Sequence, residues 1–381
     1  MRIAFYAPLK PPDHPVPSGD RQLARALAAA LAAGGHEVDV ASRFRSYDRH
    51  GSVTRQQRLQ TVGARLAARK LRRLATTAHR PDIWFTYHLY HKAPDWLGPP
   101  ISSALGIPYV VAEASIAGKQ RDGPWAIGHA GAAAAIAAAT AVVSVNPADV
   151  AAIRALRRNA PDDLLLPPFI DIRRFVGDVP HRRAPAPGDR TRLVVVAMMR
   201  EDAKLASFRL LAAALARIPG KAWEIEIIGG GPARPAVEAA FAPLPRDRVR
   251  FAGALAPSAI AARLAAGDAF VWPAIDEAFG MALIEAQACG LPVVAGDSPG
   301  VAAVVDDGVT AVLTPMGDVD AFAAAIGRLV DDPTLRQMMG AAAALRARAR
   351  HDLPVAAAEL DRLLRRAAQR TPAAAAAAAM R

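Results

Sequence analysis

One cysteine, Cys289, stands in 381 residues. No internal disulfide can form, and the composition fits a reducing compartment. The thiol is expected to pack as a small apolar side chain. Long hydrophobic runs are missing as well. The longest Ala-rich apolar stretch, Ala130 to Val145, is too short and too weakly hydrophobic to cross a bilayer. It reads instead as a buried helix leading into a strand at Ala141–Val145. The start of the chain, Arg2-Ile3-Ala4-Phe5-Tyr6-Ala7-Pro8, is strand-like and has no signal-peptide core, so a cytoplasmic location is expected. No RNP, zinc-finger or helix-turn-helix pattern is found, so nucleic acid is not an expected partner.

What is present is a globular composition, 52% hydrophobic and 22% charged, long enough for two domains. The formal charge of +12 is uneven. Residues 1–175 carry about 23 Lys/Arg against about 13 Asp/Glu, and the remainder is nearly balanced. Between Arg43 and Arg80 about eleven basic residues meet one acid, Asp48. Arg55 to Arg80 reads as a helix with Leu59, Val62, Leu66, Leu71 and Leu74 on a loose stripe. Anionic lipid headgroups on the inner face of a membrane, an acidic or lipid-diphosphate acceptor, or a merely solvated face would each account for it.

Strand and helix patterns alternate through both halves. Candidate strands are Ile3–Tyr6, Val38–Ala41, Ile83–Tyr87, Tyr109–Ala112 and Val142–Val145, then Leu193–Ala197, Glu224–Ile228, Val249–Ala252, Ala269–Trp272, Pro292–Ala295 and Ala311–Leu313. Helices are expected at 21–33, 207–217, 234–241, 257–265, 282–288 and 320–330. Such βα alternation means parallel sheets covered by helices on both faces. The Pro/Gly-dense residues 176–190 read as a linker between a domain at 1–175 and one at 191–350. The low-complexity tail 371–381 is expected to be disordered.

The most informative stretch runs from Asp276 to Pro292. It follows an apolar strand, opens a helix and stops at Gly290-Leu291-Pro292 before another buried strand. In such a βαβ unit the βα turn is the ligand-binding edge. Glu277 lies in that turn, and Glu285 lies one helical turn past Met281. The free amides of a helix start carry positive partial charge, and Gly280 lets the backbone come close. Amides for a phosphate and carboxylates for hydroxyls suit a nucleotide sugar. Alternatively, Glu277 is an acidic cap and Glu285 a solvated helix residue, although Leu283, Ile284, Ala286 and Ala288 make an apolar setting in which a carboxylate is costly.

The pattern E-x-F-G-x-x-x-x-E-A-x-A-x-G-x-P-V-V resembles the signature of retaining glycosyltransferases of family 4. The resemblance implies the GT-B fold, two Rossmann-like doubly wound domains facing across a cleft, with helical residues 351–370 crossing back to the first. It implies sugar transfer from a nucleoside-diphosphate sugar to an unknown acceptor with retention, without a metal and without a cofactor. Leu166 to Phe175 resembles the hinge segment of that family: Asp171 and Phe175 match, and Phe169 stands where a Gly is usual.

By the same resemblance Glu277 contacts the donor sugar, Glu285 the ribose hydroxyls, and the backbone of Phe279, Gly280, Met281, Ala282 and Leu283 the phosphates. Arg200 and Lys204, four apart rather than five, are the candidates for holding the diphosphate. Gly229-Gly230-Gly231 resembles a glycine turn approaching the donor, and Gly19 resembles the glycine loop of the first domain. Many members carry a His after the fourth strand; here Glu113-Ala114-Ser115 stands there, so Glu113, Ser115, His88 and His129 are the acceptor-side candidates. Asp318-Val319-Asp320 has a metal-site spelling but reads as a helix cap. A sugar-nucleotide epimerase and a catalytically silent GT-B binding protein are the alternatives.

Overall fold

The computed structural model describes residues 1–16, 18–75, 79–158, 163–175, 188–277 and 280–370. It divides into two compact units, Met1–Leu166 with the stretch from Leu353 onward, and Pro167–Asp352. Residues 167–175, assigned from sequence to the first domain, belong to the second unit. The reason is apolar: Ile170, Ile172 and Phe175 are buried in its core. The Ile170 amide also bonds the His351 carbonyl at 2.9 Å.

Unit 1 is built from β1 (Arg2–Tyr6), α1 (Gly19–Ala33), β2 (Glu37–Ser42), α2 (Val53–Leu74), β3 (Ile83–Leu89), α3 (Gly98–Leu105), β4 (Tyr109–Ala114), α4 (Ala126–Ala138), β5 (Ala141–Ser144), α5 (Pro147–Leu156) and β6 (Leu164–Leu165). Its strands form one parallel sheet in the order β2-β1-β3-β4-β5-β6. The order reverses between β1 and β3, a topological switch point whose strand ends open a crevice. Phe5 and Phe85 stack there at 5.6 Å. The basic helix α2 ends at Leu74 rather than at Arg80. Residues 76–78, inside the expected helix, lie outside the described ones, and Arg80 instead donates to the carbonyl of Leu105 at 2.6 Å.

Unit 2 is built from β7 (Thr191–Val196), α6 (Ala203–Ala216), β8 (Trp223–Ile228), α7 (Arg234–Phe241), β9 (Val249–Gly253), α8 (Pro257–Ala266), β10 (Ala269–Trp272), α9 (Met281–Ala288), β11 (Val293–Gly296), α10 (Pro299–Ala302), β12 (Ala311–Thr314), α11 (Val319–Asp331) and α12 (Pro333–Arg350). The parallel sheet runs β12-β11-β10-β7-β8-β9, with its switch point between β7 and β10. Trp223, Phe208, Phe270 and Phe322 fill the core on both faces. Helix α6 starts at Ala203, four residues before the expected Ser207, because Asp202 caps it by accepting from the Lys204 amide at 2.9 Å. Helix α12 was not anticipated, although Asp332-Pro333 is a cap followed by proline at the first helical position. Asp318 caps α11 by accepting from the Ala321 amide at 2.9 Å, and Asp320 pairs with Arg217 at 2.5 Å.

Past unit 2 comes α13 (Leu353–Arg370), which packs on α1 within unit 1. Asp361 meets His36 Nε2 at 3.2 Å there. The expected linker is described only at 188–190, and the tail 371–381 lies outside the described residues. Among the described residues no helix is long and apolar enough to cross a membrane.

Candidate functional site

The loops that follow β7 and β10 lie beside one another because those strands are neighbours at the switch point of unit 2. Lys204, on the first turn of α6, therefore reaches Glu277, 73 residues away in sequence: Nζ donates to Oε2 at 2.5 Å. The pair is only 18% and 16% exposed. Trp272, at the end of β10, donates from Nε1 to the same carboxylate oxygen at 3.2 Å and lies under the Lys204 ammonium at 5.3 Å. Trp272 is held in turn by an edge contact with Phe208 at 5.1 Å. Ser207 Oγ accepts from the Ile275 amide at 3.0 Å and pins the loop to α6.

That loop is strained. Ala274 and Asp276 have φ of 54° and 50°, in the left-handed region that non-glycine residues avoid. The Ser298 hydroxyl donates to the Glu277 carbonyl at 3.4 Å, and together these contacts aim the carboxylate inward. Gly280 caps α9 with φ 59°. A Cβ there would meet Val304 Cγ2 at 2.9 Å. Met281 and Ala282 follow, half-exposed, with Leu283 buried beneath. Phe279 lies outside the described residues.

Glu285 sits one turn into α9. Burial pushes its pKa up to about 7, with Arg174 pulling the other way. Among the described residues its carboxylate has no hydrogen-bond or ion-pair partner, which leaves it available to a ligand. Arg200, by contrast, is 52% exposed and turns to Asp202 of its own loop at 3.3 Å.

The glycine turn after β8 has a second reason to exist. A Cβ on Gly229 would lie 1.9 Å from the Ala197 carbonyl oxygen, and one on Gly231 would lie 2.3 Å from that of Met199. Two of the three glycines are thus required by the β7 loop itself, whose Met199 amide bonds the Gly230 carbonyl at 3.0 Å. Gly19 differs: nothing lies within 4 Å of where its Cβ would be.

The switch point of unit 1 assembles a separate polar cluster. His88, at the end of β3, brings Nδ1 to 3.3 Å from Asp20 Oδ1 on α1 and 4.0 Å from Glu113 Oε2 at the end of β4. His88 and Glu113 both adopt positive φ, 61° and 54°. Burial raises the Glu113 pKa despite His88 and a hydrogen bond with Tyr87. Burial alone would lower that of His88, but Asp20 and Glu113 outweigh it and the net shift is upward. Ser115 follows one residue after β4, its amide bonded to the Leu89 carbonyl. His129 is buried on α4 near His91, and among the described residues no hydrogen bond or ion pair joins it to the cluster. Sequence reasoning missed Trp272, Asp20 and Tyr87 as participants; the switch-point rule, applied to each half, points to the first two.

Residues 190–332 match the family model described as "Glycosyl transferases group 1". The chain is 34% identical over 180 residues to the D-inositol 3-phosphate glycosyltransferase of Kribbella flavida, covering 42% of each chain. The matched stretch thus spans less than half the length of that curated relative. Among solved structures, the sucrose-phosphate synthase of Thermosynechococcus elongatus superposes with a TM-score of 0.68 at 21% identity, over 96% of this chain and 98% of that one. HepE of Anabaena in complex with UDP superposes with a TM-score of 0.70 at 17% identity, over 96% and 99%. At those identities the likeness shows the fold, which is GT-B.

Proposed function

Since residues 190–332 match the family model of the group 1 glycosyltransferases, we propose that the protein transfers a sugar from a nucleoside-diphosphate sugar to an acceptor with retention and without a metal. One observation carries this reading: a shielded Lys204–Glu277–Trp272 cluster lies at the switch point beside the start of α9, where Glu285 has no partner among the described residues. The Lys204 ammonium and the α9 amides are suited to the charge that develops on a departing diphosphate. Glu277 then takes sugar hydroxyls and Glu285 the ribose. UDP in Anabaena HepE is consistent with a nucleotide in this fold.

In the proposed reaction the acceptor hydroxyl attacks the anomeric carbon on the face from which the diphosphate leaves. The anomeric C–O bond breaks with its electron pair on the phosphate oxygen, which takes the acceptor's proton. The Asp20–His88–Glu113 cluster is our assignment for the acceptor side, with His88 standing in for the His that other members carry after the fourth strand. The cationic stretch 43–80 is assigned to an anionic partner.

The test is nucleoside diphosphate release from a panel of UDP- and GDP-sugars with and without candidate acceptors. Acceptor-dependent release is expected. Release without acceptor would instead mark an epimerase or hydrolase, and donor binding with no release under any acceptor would mark a silent binding protein.

A further inference from the structure

Within unit 1, away from the polar cluster, an open cavity of about 620 Å³ lies among α2, α3 and α4. That volume falls in the range of roughly 300–1,000 Å³ typical of ligand sites. Ala64, Ala68 and Leu71 of α2 form one wall, Ala134 and Ala138 of α4 the opposite one, and Trp96 the floor. The Trp96 side chain fits only because its neighbours are glycines: a Cβ on Gly63 would lie 2.4 Å from Trp96 Cβ, and one on Gly131 2.3 Å from the indole Cη2. The one charged side chain in the lining, Asp95, is spoken for. It accepts from Leu97 N, Gly98 N, Thr86 Oγ1 and Tyr109 OH at 2.6–2.9 Å.

Three of the five α2 residues that line the cavity are followed by an arginine: Ala64-Arg65, Ala68-Arg69 and Leu71-Arg72. At 100° per residue Arg58, Arg65, Arg69 and Arg72 share one face of α2, about 100° round the helix from Ala64, Ala68 and Leu71. All four are exposed. Elsewhere in 43–80, Arg43 pairs with Asp13, Arg45 donates to the Leu9 carbonyl, and Arg55 faces Asp48. These four have no hydrogen-bond or ion-pair partner among the described residues. Burial, then Arg73 and Arg69, lower the pKa of Lys70 on the same helix, a sign of concentrated positive potential.

An apolar slot beside an unpaired cationic row matches an amphiphile with an anionic head. We propose that the cavity takes a hydrocarbon chain of a phosphate-bearing membrane lipid whose headgroup is held by Arg65, Arg69 and Arg72. A single hydrocarbon chain binds only marginally, and a polybasic patch is the kind of second signal that makes anchoring stable. The proposal deepens the assignment of 43–80 to an anionic partner and rests on it, but it does not depend on sugar transfer.

The experiment uses full-length protein with vesicles of phosphatidylglycerol or phosphatidylcholine carrying chain-brominated lipids, which quench tryptophan on contact. Comparison with Trp96→Phe isolates the Trp96 emission. On phosphatidylglycerol, salt-sensitive binding with at least a twofold loss of Trp96 emission is expected. The triple variant R65E/R69E/R72E should weaken that binding at least tenfold. Ala68→Leu or Ala138→Leu, each filling the slot from one wall, should restore most of the emission in protein that still binds. Equal binding to phosphatidylcholine would overturn the anionic assignment and the cavity proposal with it. Binding to phosphatidylglycerol with Trp96 unquenched would overturn the cavity proposal alone. Should a filling variant fail to fold, the wild-type and Trp96→Phe comparison decides by itself.

Discussion

Replacing Glu285 by glutamine should make the protein more stable and worse at binding its donor. Glu285 has a folded-state pKa of about 7 against 4.5 for the free side chain, chiefly through burial. At about 1.4 kcal/mol per pH unit, ionising it in the folded protein costs on the order of 3 kcal/mol more than in the unfolded chain. Between pH 4.5 and about 7 the folded state holds the extra proton, so stability falls as pH rises through that window. The penalty is fully present above it and absent below 4.5. Glu285→Gln keeps the shape and removes the titration. Chemical unfolding at pH 8 should therefore show the variant more stable by about 2–3 kcal/mol, with the difference shrinking toward zero near pH 4.5. Donor affinity, measured by calorimetry at pH 8, should fall about 10- to 100-fold, the worth of a charge-assisted hydrogen bond to a hydroxyl. A variant no more stable at pH 8 than wild type, or equally stabilised at both pH values, would refute the burial argument. Unchanged donor affinity would refute the placement of the ribose.

Lys204→Ala should slow transfer by about 10²–10³-fold, as the loss of a preorganised charge at a leaving group does. Arg200→Ala should cost less than about tenfold because Arg200 is exposed and paired with Asp202; initial rates at saturating acceptor separate the two. Gly19→Ala should leave thermal unfolding unchanged while lowering transfer, since open space surrounds that position, whereas Gly229→Ala should unfold early because its Cβ would lie 1.9 Å from the Ala197 oxygen. His351 is fully buried, with Nδ1 at 2.7 Å from the Pro168 carbonyl and Nε2 at 2.5 Å from Arg346 Nη1. Burial lowers its pKa to about 4, so stability should be complete above pH 6.5 and decline as pH falls toward 4. His351→Ala should cost about 2–4 kcal/mol by leaving buried partners unpaired, read by urea unfolding.

The alternation of apolar runs and helical stretches was enough to place every strand of both sheets except the two-residue β6, because each buried parallel strand is a short Val/Ile/Ala-rich run. Helix α12 escaped because an Ala/Arg-rich amphipathic stripe carries weak contrast; its Asp332-Pro333 start was the stronger signal. The domain boundary was misplaced by about nine residues because the Pro/Gly-rich segment at 176–190 drew it. Chain composition cannot show that Ile170 and Phe175 find their core on the far side of that choice.

For the site, local chemistry was legible and partnership was not. Glu277, Gly280 and Glu285 could be named because a helix start after a buried strand is a recognisable string of residues, and Lys204 through the family resemblance. That Lys204 and Glu277 meet at 2.5 Å over Trp272 follows from β7 lying beside β10, a strand order that no periodicity encodes. In the same way β1 beside β3 brings Asp20 to His88, and β4 adds Glu113. The sequence by itself determined the class of fold, its strands and the residues at the ends of them, since these depend on hydrophobic period and turn chemistry. Only the tertiary structure decided which ends are neighbours, which glycines answer to the chain rather than to a ligand, and which half-buried carboxylate has no partner among the described residues. Those depend on contacts between residues tens of positions apart.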